Sequence, residues 1–116
     1  MTTIDTLTLA TELTNPDRNA RAAAAMELGT RRDLSAAEAV VAQLAVEEDA
    51  FVRENLTWAS VQLIEASLPL VIALLSSSDA GARRQAAHVL SKVGDPSLVP
   101  HPVSYTHLTL PTNREV

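Results

Sequence analysis

A chain of 116 residues, 47% of them hydrophobic, can bury one compact core or a short array of repeats. Aromatic residues are only 3%, so Ala, Leu and Val carry the apolar surface, which favours close helix–helix packing over a sheet sandwich. The net charge of −5 offers no global basic field to nucleic acid or anionic lipid, and the absence of Cys removes disulfides, thiolate nucleophiles and cysteine-ligated metals.

The opening run has neither the basic start nor the continuous apolar stretch of a signal peptide, and no apolar run reaches the roughly 18–20 residues of a membrane span, so the chain reads as cytoplasmic. Ile4, Leu7, Leu9 and Leu13 give a helix over about Thr3–Leu13 its apolar side, and Asn15-Pro16 ends it. A second helix is expected over Asp17–Leu28, with Ala20, Ala24, Ala25 and Leu28 inward. Ser35 reads as the N-cap of the next, whose stripe is Ala37, Val40, Val41 and Leu44. Glu47-Glu48-Asp49 reads as solvated charge at a turn. Asp49–Ile64 follows, burying Val52, Leu56, Ala59, Ser60 and Leu63. Ser67 reads as another N-cap, with Pro69 in the first turn and Leu68, Val71, Leu74 and Leu75 as the stripe. After the turn Ser76-Ser77-Ser78, the last helix runs Asp79–Val93 with Ala82, Ala86, Ala87, Leu90 and Val93 inward, and Gly94 closes it.

Three of these helices start alike. The pairs Asp17/Arg21, Asp49/Arg53 and Asp79/Arg83 recur after 32 and then 30 residues, and Ser35, Ser67 and Ser97 keep the same steps. A period of that size carrying helical patterns marks stacked two-helix units. The Asp caps the first free amides of its helix, and an Arg four residues on can pair with it locally. Together with Lys92-Val93-Gly94-Asp95-Pro96 and Leu98-Val99-Pro100, the pattern resembles HEAT repeats of the short bacterial, phycobilisome-lyase-like kind, over roughly residues 3–101. Thr30-Arg31-Arg32-Asp33 and Gln62-Leu63-Ile64-Glu65 depart from it by lacking Gly-Asp, which predicts tighter or less regular turns. The resemblance implies an all-α superhelix of about three antiparallel helix pairs (units 3–29, 34–65 and 67–94) plus the start of a fourth at 95–101. It also implies that each Arg forms a ladder rung to the Asp of a neighbouring unit, and that the second helices line a concave face.

Residues 102–116 break the pattern and are expected to be irregular. Val103–Thr112 resembles the translation of a transposase-derived sequencing adapter, with Asn113-Arg114-Glu115 as its index and Val116 preceding the adapter's stop. On that reading the gene is interrupted near His101, the natural protein carries more repeats, and Tyr105 and His107 have no functional weight. An apolar face left at the C-terminal end of the stack would then promote self-association.

Few residues could perform chemistry. The three His are His88, His101 and His107, and there is no His-x-x-x-His, GxxxxGK[ST] or GxGxxG. No metal or cofactor is expected. The face opposite the stacking side of the second helices is more informative: Ala22, Met26 and Thr30, then Glu54, Trp58, Val61 and Glu65, then Arg84, His88, Ser91 and Lys92. Met26, Trp58 and His88 are equivalent positions. Trp58 can cover the neighbouring helix or anchor a partner, and His88 reads as an ordinary surface His. The expected function is a non-enzymatic scaffold binding another protein through Met26, Glu54, Trp58, Arg84 and His88, with Asp17, Arg21, Asp49, Arg53, Asp79 and Arg83 as its structural ladder. Two rivals come from resemblance alone. A bilin lyase-like enzyme is one. The other, a HEAT-like binder of nucleic-acid lesions, needs a basic face, whereas Glu54 and Glu65 flank Trp58.

Overall fold

The computed structural model describes residues 5–93; the start of the first expected helix at Thr3 and Ile4, the partial fourth unit and the tail lie outside them. The described chain is all-helical. Its elements are α1 (Thr6–Glu12), α2 (Arg18–Arg31), a 3-10 turn (Leu34–Ala36), α3 (Ala37–Val46), α4 (Ala50–Gln62), α5 (Ile64–Leu74) and α6 (Ala80–Val93). Among the described residues no helix is long and apolar enough to cross a membrane.

Aspartates punctuate the chain. Asp5, Asp17, Asp33 and Asp49 each precede a helix or helical turn with extended backbone and accept hydrogen bonds from amides of its first turn. Asp79 does the same for the amide of Ala82. Asp33 therefore takes the capping role expected of Ser35, whose own amide and hydroxyl both donate to it. The Asp33 carboxylate also accepts from the Thr6 hydroxyl at 2.5 Å, tying α1 to the 3-10 turn. The turn before Asp33 lacks a glycine, so Arg32 adopts the left-handed conformation (φ 54°, ψ 37°) and donates its amide to the carbonyls of Leu28 and Gly29. A side chain in that region costs about 1 kcal/mol, which glycine would avoid.

The joint between α4 and α5 is a tight one, as the missing Gly-Asp predicts, but it starts α5 earlier than Ser67 implied. Leu63 alone separates the helices, and α5 starts at Ile64, three residues before Ser67. Ser67 is thus no N-cap. It is fully buried and its Oγ donates to the carbonyl of Ser60 at 2.6 Å. That carbonyl belongs to the last turn of α4, where the helix provides no amide for it. Pro69 falls in the second turn of α5 instead of the first and removes one helix hydrogen bond there.

The helices pack in two rows. α2, α4 and α6 lie side by side in that order; α1, the 3-10 turn, α3 and α5 form the other row, and successive helices join the rows as α1·α2, α3·α4 and α5·α6. α4 touches α2, α3, α5 and α6, so its burial is nearly all-round. This is why Val61, expected to face outward, is buried along with Thr57 and Gln62. Ala22 is likewise buried, while Ala20 is half-buried and Ala87 exposed, which turns the inner faces of α2 and α6 slightly from the expected registers. Leu13, Leu28, Val40, Leu44, Val52, Leu56, Leu63, Val71, Ala86 and Val89 make up most of the common core.

α3 and α5 share a stripe but not its cover. Ala37, Val40, Val41 and Leu44 are all buried on α3. Of the expected α5 stripe Val71 is buried, Leu68 and Leu74 are half-buried and Leu75 is 42% exposed, and Ile72 beside it is 49% exposed. Truncations should report the difference directly. Leu44→Ala is expected to cost about 2–5 kcal/mol and Ile72→Ala less than about 1 kcal/mol, measured by urea unfolding.

Candidate functional site

The Asp-x-x-x-Arg motif builds a clamp on its own turn. The Nη1 of Arg21 donates to the carbonyls of Asn15 and Pro16 at 2.8 and 3.1 Å. Arg53 Nη1 does the same to Glu47 and Glu48 at 3.3 and 2.7 Å, and Arg83 Nη1 to Ser77 at 2.7 Å. These acceptors stand five or six residues before each Arg, so the Asp caps the helix while the Arg gathers the turn leading into it. Among the described residues Arg21, Arg53 and Arg83 make no ion pair with the Asp of a neighbouring unit. Asp49 is instead reached by Arg18, one residue after the Asp of its unit, through Nε at 2.7 Å and Nη2 at 3.3 Å. The same guanidinium lies 4.9 Å over the exposed ring of Phe51.

Arg21 has a second task. Its Nε and Nη2 hold the two carboxylate oxygens of Glu47, each at 2.9 Å, a forked pair joining α2 to the turn before α4. Glu47 is therefore not solvated charge: its side chain is only 2% exposed. It accepts from Gln43 Nε2 at 2.9 Å and from the Asp49 amide at 3.1 Å as well. Burial pushes its carboxyl up, but the hydrogen bonds from Arg21, Gln43 and the Asp49 amide outweigh this and leave it below its ordinary value. Asp49 is lowered to about 2, chiefly by the hydrogen bond from Arg18, with partial burial opposing and the Val52 amide assisting. Arg18, Gln43 and Glu47 escaped sequence reading because the positions equivalent to Arg18 are Ala50 and Ala80, and Glu47 aligns with Ser77. A search for what repeats passes over what occurs once.

On the α2–α4–α6 row the expected partner-binding residues form a connected track. Met26 is 48% exposed, one turn before Gly29 on α2. The Trp58 ring lies half-buried against Gly29, so closely that a Cβ there would come within 2.5 Å of its Cζ3 and 3.1 Å of the Ala59 Cα. Trp58 therefore packs the α2–α4 seam with part of its surface still exposed. One turn back on α4, Glu54 meets His88 Nε2 of α6 at 3.1 Å. Arg84, one turn before His88, is exposed and lines a cleft between α4 and α6 with Arg53. Among the described residues no group of three or more His, Asp or Glu is placed to hold a metal ion.

No family model matches the chain, and no curated protein matches it significantly.

Two outcomes follow from these contacts. Gly29→Ala should gain the helix propensity of Ala, about 1 kcal/mol, yet lose more by displacing Trp58 from the seam. The expected net loss is about 1–2 kcal/mol, seen in urea unfolding with an altered Trp fluorescence. The second outcome concerns acid. Asp49 and Glu47 both have folded pKa values below their ordinary 3.8 and 4.5, so their contribution is full above those values and is lost as pH falls through the lowered ones, about 2 for Asp49. Urea midpoints should therefore drop across that window, and more gently in an Arg18→Gln, Arg21→Gln variant. At neutral pH, Arg21→Ala should itself lower the urea midpoint by leaving the Glu47 carboxylate without its cation.

Proposed function

We propose that this chain is a non-enzymatic, cytoplasmic scaffold of HEAT-repeat type that holds another protein along the α2–α4–α6 row. The observation carrying this reading is the continuous track on that row. An exposed thioether (Met26), the edge of a packed indole (Trp58), an exposed carboxylate–imidazole pair (Glu54 and His88) and an exposed guanidinium (Arg84) follow one another across three helices. Apolar contact beside charges of both signs suits a protein surface better than a polyanion. The 32- and 30-residue spacing of the Asp-x-x-x-Arg clamps, each gathering the turn before a second helix, supports the repeat architecture. The uncovered Ile72 and Leu75 on α5 support a further contact, either self-association or the packing of another unit.

Co-purification from cells tests the reading. The chain and a Met26→Ala, Glu54→Ala, Arg84→Ala variant would be compared, all three sites being exposed so that the fold is kept. The partner identified by mass spectrometry should bind the variant at least about tenfold more weakly when both are purified and titrated. Unchanged affinity would remove this face from consideration.

A further inference from the structure

The two junctions between second helices are built on one plan and differ in one group. At the first, Arg21 spends Nη1 on the carbonyls of its own turn and uses Nε and Nη2 to grip Glu47. At the second, Arg53 spends Nη1 in the same manner, but its Nε and Nη2 have no hydrogen bond to any described residue. The position equivalent to Glu47 is Ser77. The two side chains do the same local job, accepting the amide of the following Asp: Asp49 at 3.1 Å for Glu47, Asp79 at 3.0 Å for Ser77. A serine hydroxyl is two carbons short of a glutamate carboxylate, so the fork of Arg53 faces a cleft where Arg21 faces an acid. That cleft has a volume of about 360 Å³ and is lined by Arg53, Asp79, Gly81, Arg84 and Gln85 among others. Arg84 is folded back over the first turn of α6, its Nη2 3.8 Å from where a Gly81 Cβ would sit, and it too has no hydrogen bond to a described residue.

We propose that this cleft receives a single Glu or Asp carboxylate from a segment of a protein partner, held by Arg53 in the manner of the Arg21–Glu47 pair and seconded by Arg84. The inference rests on the scaffold reading and gives its partner a chemistry. Charge decides between ligand classes. Glu47 is already paired with Arg21, and Asp79 caps α6, but it and the exposed Glu48 still balance the two cations. A balanced cleft does not concentrate polyanions, so nucleic acid is disfavoured, while a planar fork still selects one carboxylate by geometry. Val46, 67% exposed on the rim, gives a neighbouring apolar side chain of the same segment somewhere to rest.

The test uses the whole chain labelled with ¹⁵N, following the arginine Nε–H resonances. The probes are acetyl-Val-Glu-Val-amide, its Gln counterpart and inorganic phosphate. The Glu peptide should shift Arg53 Nε–H saturably, with an apparent Kd of about a millimolar, and the Gln peptide at least about tenfold more weakly. Ser77→Glu, which supplies the carboxylate from within, should shift that resonance without any peptide and abolish the response to it. An Arg53 signal indifferent to the Glu peptide, or equally responsive in Ser77→Glu, overturns the proposal. So does a response to phosphate as strong as to the peptide, which would mark a hydrated small-anion site. In co-purification Ser77→Glu should also weaken partner capture. If it leaves capture intact while a Met26→Ala, Glu54→Ala variant, which spares the cleft, loses it, the scaffold reading stands and this inference alone fails.

Discussion

Glu47 is a carboxylate with almost no access to water, placed where the end of α3, the start of α4 and the side of α2 meet. Such a group is tolerable only if its lone pairs are filled, and four donors fill them: two from Arg21, one from Gln43 and one from the Asp49 amide. Each donor in turn fixes something else. The Asp49 amide orients the aspartate that caps α4 and receives Arg18, and Arg21 is anchored by carbonyls of the turn before α2. Three elements thus have their relative positions set by the demand of one buried charge. The apolar core supplies most of the cohesion, but Ala and Val contacts alone permit sliding; a forked ion pair does not.

The second junction lacks that lock, which gives the molecule a polarity along the row. α2 and α4 are joined by two ion pairs and the Trp58–Gly29 contact, whereas α4 and α6 share the exposed Glu54–His88 pair and a cleft. Exposed pairs contribute little. The half of the row beyond α4 is therefore the less tightly joined half.

The helices were largely legible in the sequence because their determinants are local and repeated. Asp17, Asp49 and Asp79 mark starts through their own side chains, and Leu28, Val52, Leu56 and Val71 follow the 3.6-residue period that burial requires. Legibility failed where one side chain answered to two partners. Ser67 looks like a cap, yet the orphan carbonyl of Ser60 claims its hydroxyl and draws it inside. Glu47 resembles surface charge until Arg21 arrives from 26 residues away. Val61 lies on the polar side of α4 by periodicity, but a helix surrounded by four neighbours has no solvent side there. The candidate face was legible as a set of equivalent positions. Its chemistry was not, since the wedging of Trp58 depends on a glycine in the preceding unit.

The single-residue joint at Leu63 has a consequence for how such a chain can change. A loop absorbs an inserted residue by bulging, as the segment between α5 and α6 could. At Leu63 nothing is slack: one added residue would turn α5 by about 100° about its axis and advance it by about 1.5 Å. Val71 would swing out of the core and Glu65 toward it. α4 and α5 are geared together, so length variation in this protein has to enter at the aspartate-capped turns. The 30-residue step in its second period, two shorter than the first, lies between Ser67 and Asp79, on the far side of that gear.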